Sequence, residues 1–180
     1  LVKCQVFFIV VSAPNYLKMI IDESLKEKIR MRSLIIEEIR RFFIDRDFLE
    51  IDTPALVRFA GQEPYLDLFS TEFLTRNEGK DIKEKLYLIT SPEYSLKKYL
   101  VGGFEKIFQI GKSFRNKESF SDRHNPEFCL LEWYRAYASY LDMMNDTEEL
   151  VKELWIKFGN GSNQLKYNGK NINVLEKWDR

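Results

Sequence analysis

Two runs of alternating residues constrain this chain most: KIFQIGKSFR (106–115) and EFCLLEWYRAYA (127–138). Period-two alternation marks a strand, because successive side chains point to opposite faces of a sheet. The runs flank a charged loop, NKESFSDRHNP, so an antiparallel pair joined at one end is expected. On the second strand Phe128, Leu130, Glu132 and Tyr134 share one face, and Cys129, Leu131, Trp133 and Arg135 the other. Both faces are largely apolar, which puts Glu132 at least half inside. A buried, unpaired carboxylate is costly and needs a cation or firm donors. Arg135 faces the wrong way to serve. A salt bridge to a neighbouring strand would answer the charge, and so would a cationic ligand.

Around this pair the chain alternates helices and strands. From Asp22 to Phe48 the apolar positions Leu25, Ile29, Ile35, Ile39, Phe42 and Phe43 follow helical spacing. FLEIDTPAL (48–56) reads as a strand stopped by Pro54. RNEGKDIKEK (76–85) reads as a surface loop, and LYLIT (86–90) as a short buried strand. Ser91 is expected to cap a helix with Pro92 in its first turn and Gly102-Gly103 closing it. Leu141 to Phe158 returns to helical spacing, and Asn168-Gly169 signals a tight hairpin. Helices beside a mainly antiparallel sheet predict an α+β fold. The reading divides the chain into an atypical segment 1–18, a core 19–158, and the start of a hairpin or insertion at 159–180. A new element opens at LEKWDR just as the chain stops, which reads as a truncation.

Composition narrows the function. The 180 residues are 44% hydrophobic and 14% aromatic, enough for the core of one domain. Charged residues make up 31% and cancel to a net charge of +0, which gives no electrostatic reason for strong nucleic-acid binding. Cys4 and Cys129 lie far apart, and with one histidine no Cys/His zinc site can be assembled. Two reduced structural thiols in a cytoplasmic protein are expected. The chain begins at Leu1, and VFFIVVSA (6–13) resembles the apolar part of a signal peptide. That run is too short to span a bilayer, so no membrane association is expected. Met19 opens a more ordinary helical sequence, and residues 1–18 are read as upstream or mis-started.

Two further residues carry candidate chemistry. Glu93 falls in the first turn after Ser91, where an acid suits the helix dipole and needs no ligand. Arg115 ends an apolar strand beside the loop. Its planar five-donor fork suits a phosphate, although an exposed hairpin arginine is the plainer reading.

Taken together these motifs are specific. Residues 31–140 resemble the catalytic domain of class II aminoacyl-tRNA synthetases on the lysine branch. The helix followed by FLEIDTPAL resembles motif 1, whose proline would be Pro54 and which builds a homodimer interface in that family. FRN, the loop and HNPEFCLLEWY resemble motif 2. Within the branch, TSPEY (90–94) and LEWYRA (131–136) look more like elongation factor P lysyltransferase, a paralogue, than like lysyl-tRNA synthetase. About thirty residues before motif 1 are also too few for the OB barrel that reads the anticodon, so tRNA is not the expected partner.

The resemblance implies roles for named residues. Arg115 would bind the ATP α-phosphate and stabilise charge there. Asn116 and Glu118 would hold the adenine and ribose end, His124 and Asn125 would reach phosphates or a base edge, and Phe128 would stack on adenine. Ser91, Pro92 and Glu93 would line the amino-acid pocket, with Glu93 near one amino group of lysine or β-lysine and Glu132 with Tyr134 holding the other. The implied reaction is attack of the lysine carboxylate on the ATP α-phosphorus, with Mg2+ bridging the phosphates. The adenylate would then acylate a lysine side chain of elongation factor P.

Two departures qualify the match. Lys117 stands where the family has glutamate, with Glu118 one position later. Nothing after Tyr140 resembles motif 3, whose arginine clamps the γ-phosphate and near which the family's metal-binding carboxylates lie. No metal ligands are therefore assigned, and the chain alone is expected to be inactive. The alternatives are a lysyl-tRNA synthetase catalytic domain, a non-catalytic synthetase-like binding protein, or a gene fragment with no role of its own.

Overall fold

The computed structural model describes residues 22–59, 61–77, 79–117 and 125–179. The chain divides into two compact units, residues 1–38 and 39–180. The segment read as atypical, 1–18, lies outside the described residues.

Helix α1 (Glu23–Ile44) starts at Asp22, whose carboxylate accepts a hydrogen bond from the Leu25 amide at 2.7 Å. It ends in a Schellman turn. Asp47 takes a left-handed conformation (φ 64°), its amide bonds the Ile44 carbonyl, and the Phe48 amide bonds the Phe43 carbonyl. That turn brings the Phe48 ring edge-on to Phe43, with centroids 5.2 Å apart.

The main sheet has the order β1-β5-β6. Strands β5 (Lys106–Phe114) and β6 (Glu127–Arg135) pair antiparallel along their whole length, as the alternation predicts. Strand β1 is only Leu49–Glu50, and it runs parallel to β5. FLEIDTPAL is therefore not one strand. It splits into β1 and β2 (Leu56–Val57), with Pro54 exposed between them. The amide-less proline cannot extend a ladder.

A second sheet, β2-β4-β3, contains β3 (Ser70–Asn77) and β4 (Lys80–Leu88). Residues 76–85, expected as a loop, thus form the far half of a long hairpin. Cross-strand pairs such as Lys83–Glu72 (3.3 Å) and Arg76–Asp81 (2.9 Å) hold it in register. Both faces there are solvent-exposed, so no apolar alternation marks the strands. Just after β4, the Ile89 carbonyl accepts from the Phe114 amide, which lays Thr90 and Ser91 beside β5.

Helix α2 (Glu93–Val101) follows. Pro92, not Ser91, takes its N-cap position. The Ser91 hydroxyl only accepts a long bond of 3.4 Å from the Glu93 amide. Helix α3 (Tyr140–Phe158) opens with a capping box of Ser139 and Asp142. The final hairpin, β7 (Gln164–Tyr167) and β8 (Lys170–Asn173), turns at Asn168-Gly169 with φ of 48° and 74°, as that dipeptide requires.

The β5–β6 pair has a core on each face. On one side Phe42, Phe43, Phe48, Phe108 and Leu150 cluster with Trp133 and Leu131, joining the last turns of α1 to α3. Phe43 is fully buried, and truncating it to alanine should cost about 3–5 kcal/mol. On the other side Ile51, Leu96 and Ile107 pack with Tyr99, Leu100 and Tyr134 beneath α2. This second cluster ends at the Ile107–Tyr134 rung. The rungs beyond it turn polar.

Candidate active site

The register of β5 against β6 places Gln109 opposite Glu132, Gly111 opposite Leu130, and Ser113 opposite Phe128. Arg115 follows with the same parity. One face of two strands therefore presents Glu132 and Tyr134 at one end and Phe128 and Arg115 at the other. Four residues of strand separate these ends, about 13 Å.

At the first end the Tyr134 hydroxyl donates to Glu132 Oε1 at 2.7 Å. Burial, ahead of repulsion from Glu93, holds the Glu132 carboxyl above its ordinary range, while Tyr134 and Lys97 pull it back down. Burial and the bond to Glu132 likewise push the Tyr134 hydroxyl up. Arg135 faces away and pairs with Asp146 at 3.2 Å. Glu132 thus has a neutral donor and no cation in contact among the described residues. Glu93 is different, since its carboxylate pairs with Lys97 at 2.5 Å on the same helix. That bond raises the Lys97 amine above its ordinary value.

At the second end the Arg115 guanidinium lies 5.1 Å from the centre of the Phe128 ring. Arg115 Nε is buried without a hydrogen-bond partner, and so are Ser113 Oγ and Gln109 Oε1. Buried polar atoms are nearly always bonded, and exceptions in one row call for a further partner, an ordered water or a ligand. Three orphans on one face of one strand form such a row; the others, Thr53 Oγ1, Trp133 Nε1 and Asp146 Oδ2, lie elsewhere.

The remaining expected residues separate. Asn116 is bound to the protein itself. Its backbone amide bonds the Asp67 carbonyl at 2.9 Å, and its side-chain amide donates to the Leu68 carbonyl at 3.4 Å. Lys117, in a left-handed conformation, pairs with Asp67 at 2.9 Å. Asn125 is exposed, and Glu118 and His124 lie outside the described residues. Ser91 and Pro54 line a cavity of about 410 Å³ with Thr90, Tyr94 and Lys98. Pro92 is buried. Over that cavity the 61–66 loop is tied to α2 by the Gln62 amide bonding Tyr94 Oη at 3.3 Å, and Thr90 donates to Glu63 at 3.4 Å. Gln109 and Ser113 were not singled out from sequence, yet both interrupt an apolar run with the parity that pairs with Glu132. Cys129 is a free, exposed thiol rather than a buried one, and Cys4 lies outside the described residues.

The pattern of the family tRNA synthetases class II (D, K and N) matches residues 11–180. The chain belongs to this family. Among its relatives, a lysine–tRNA ligase of Carboxydothermus hydrogenoformans is 41% identical over 166 residues, covering 92% of this chain and 32% of that protein. A lysine–tRNA ligase of Clostridium novyi is 42% identical, with 92% and 31% covered. One from Pseudomonas putida is 43% identical over 156 residues, with 87% and 29% covered. The chain spans about a third of the length of these class II relatives.

The Arg115 guanidinium, its Nε unpartnered, beside an aromatic ring fits a nucleotide, a phosphate against Arg115 and a base against Phe128. Among the described residues no group of three or more histidine, cysteine or carboxylate ligands lies together. No helix among the described residues is long and apolar enough to cross a membrane.

Proposed function

We propose that this chain supplies the ATP and amino-acid face of an enzyme that activates lysine as an adenylate and transfers it to lysine tRNA. The observation that carries this is the shared face of β5 and β6, with a half-buried carboxylate–phenol pair at one end and, beside Phe128 at the other, an arginine whose buried Nε has no hydrogen-bond partner. A lysine side-chain ammonium answers Glu132. The Arg115 guanidinium meets the α-phosphate.

In this reading a lysine carboxylate oxygen attacks the α-phosphorus, a new P–O bond forms, and the bond to the β-phosphate oxygen breaks to release pyrophosphate. No side-chain nucleophile takes part. The strand pair holds carboxylate and phosphorus in line, and the charge developing at phosphorus meets a donor already in place. Glu93, neutralised by Lys97, lines the amino-acid end with Ser91 and Pro92. Asn125 is assigned to the nucleotide in this proposal, as the resemblance implies for Glu118 and His124, which lie outside the described residues. A homodimer through α1 and the Pro54 segment, in the cytoplasm where translation runs, completes the proposal.

The acceptor has a second reading. TSPEY (90–94) and LEWYRA (131–136) favour elongation factor P, with lysine or β-lysine as substrate. The lysine–tRNA ligase relatives favour tRNA. The short stretch before α1 carries no weight, since the chain covers a third of those relatives. Lysine-dependent pyrophosphate exchange by the full-length protein containing this chain tests the activation step. Charging assays with lysine tRNA and with elongation factor P then separate the acceptors. Exchange supported by another amino acid in place of lysine would overturn the reading.

A further inference from the structure

The amino end of the site has more acceptors than Glu132 and Tyr134. A primary ammonium carries three N–H donors. The Glu132 carboxylate takes one. Tyr134 gives its proton to Glu132, so its oxygen has lone pairs left for a second. The third acceptor has to lie beside the carboxylate.

Gln109 meets this condition. It stands directly across the ladder from Glu132, on the same face, and an adjacent pair of this kind puts Cβ atoms about 5 Å apart. It is 4% exposed, and its Oε1 is buried without a hydrogen-bond partner. The neighbouring glycine makes room for it. A Cβ on Gly111 would lie 2.7 Å from Gln109 Nε2, so the amide rests over a position where any side chain would push it aside. A side-chain carbonyl interior to a strand, buried without a hydrogen-bond partner and given its own space, has no structural task visible in its contacts. A greasy side chain of equal size would pack as well there and leave nothing unsatisfied.

We propose that Gln109 is a specificity residue whose side-chain carbonyl accepts a hydrogen bond from the terminal ammonium of the amino-acid substrate. The inference rests on the lysine-activating reading above and adds a third acceptor to its pocket. With carboxylate, phenol oxygen and amide carbonyl on one face of the strand pair, the site would select a three-donor ammonium. A methyl group in the same place would leave all three acceptors unsatisfied.

The test uses the full-length protein containing this chain, with Gln109→Met and Gln109→Glu. Lysine, norleucine (which has no terminal amino group) and ATP are titrated calorimetrically, and kcat and KM for lysine are read from pyrophosphate exchange. In Gln109→Met the KM for lysine is expected to rise about tenfold or more. Norleucine and ATP binding should not change, so discrimination between lysine and norleucine falls by the same factor. The kcat should stay within about twofold. Gln109→Glu keeps an acceptor and should keep lysine binding.

Wild-type lysine affinity in Gln109→Met overturns the inference. So does a parallel loss of lysine and ATP binding, which is the mark of a merely structural residue. If the methionine variant does not fold, the glutamate variant decides: loss of lysine binding with ATP binding intact counts against the proposal. A wild-type protein that binds ATP but not lysine overturns the underlying reading instead, and Gln109 falls with it.

Discussion

Because burial holds the Glu132 carboxyl above its ordinary value of 4.5, the folded chain keeps that proton to a higher pH than the unfolded chain does. Across the interval between the two values the folded state binds more protons, so stability falls as pH rises through it. The groups facing Glu132 act in both directions: Glu93 opposes its ionisation, and the Tyr134 hydroxyl and Lys97 favour it without prevailing over burial. Glu132→Gln should therefore be more stable than the wild type at neutral pH, and the gain should vanish below 4.5. Urea unfolding at a series of pH values checks this, and a gain independent of pH would sink it. The same variant should lose lysine binding while keeping ATP. In the wild type, lysine affinity should weaken as pH falls and Glu132 takes up its proton, by up to about tenfold per pH unit. At this scale the sequence is informative about Glu132 and Tyr134, because alternation assigns each to a face. It is silent about Glu93, whose Lys97 partner looks from sequence like any surface pair at i,i+4.

Elements differ in how far their ends are written locally. Helix α3 is set by a capping box: Asp142 Oδ2 accepts from the Ser139 amide at 2.7 Å, and the Leu141 amide donates to Ser139 Oγ at 3.2 Å. The Ser139 amide bond is the main cause that holds the Asp142 carboxyl below its ordinary range. Its contribution is present above that range and is lost as pH falls through the depressed value. Ser139→Ala should cost about 1 kcal/mol, read as a lower melting temperature, with lysine and ATP binding untouched. An unchanged melting temperature would show that α3 is held by Leu150 and Leu154 alone. The β3–β4 hairpin is the opposite case. Apart from the half-buried Leu86–Leu88 that the sequence marks as strand, its strands face water on both sides, so neither periodicity nor burial marks them. Cross-strand charge pairs and the backbone ladder fix them, and both become visible only once the chain is folded.

For the whole molecule, the exposed apolar residues of α1 matter most. Leu25, Ile29, Met31 and Leu34 are each at least 40% exposed, in a unit that comprises residues 1–38. Such a surface, on the helix that resembles motif 1, supports the proposed interface between two copies. Sedimentation of the full-length protein should give a dimer, and Ile29→Glu should shift it toward monomer. A clean monomer in the wild type would remove the interface from the proposal.

By itself the sequence determined the antiparallel β5–β6 pair, the face that carries Glu132, the three helices to within a few residues, and the Asn168-Gly169 turn. These follow from periods and turn residues, which act over a few positions of chain. Only the tertiary structure decided which side chains find partners. It bound Asn116 to the 67–68 backbone, paired Arg135 with Asp146 across to α3, and left Gln109, Ser113 and Arg115 unsatisfied in one row. Whether a buried polar atom is satisfied depends on groups brought together from distant parts of the chain, and no local pattern contains that information.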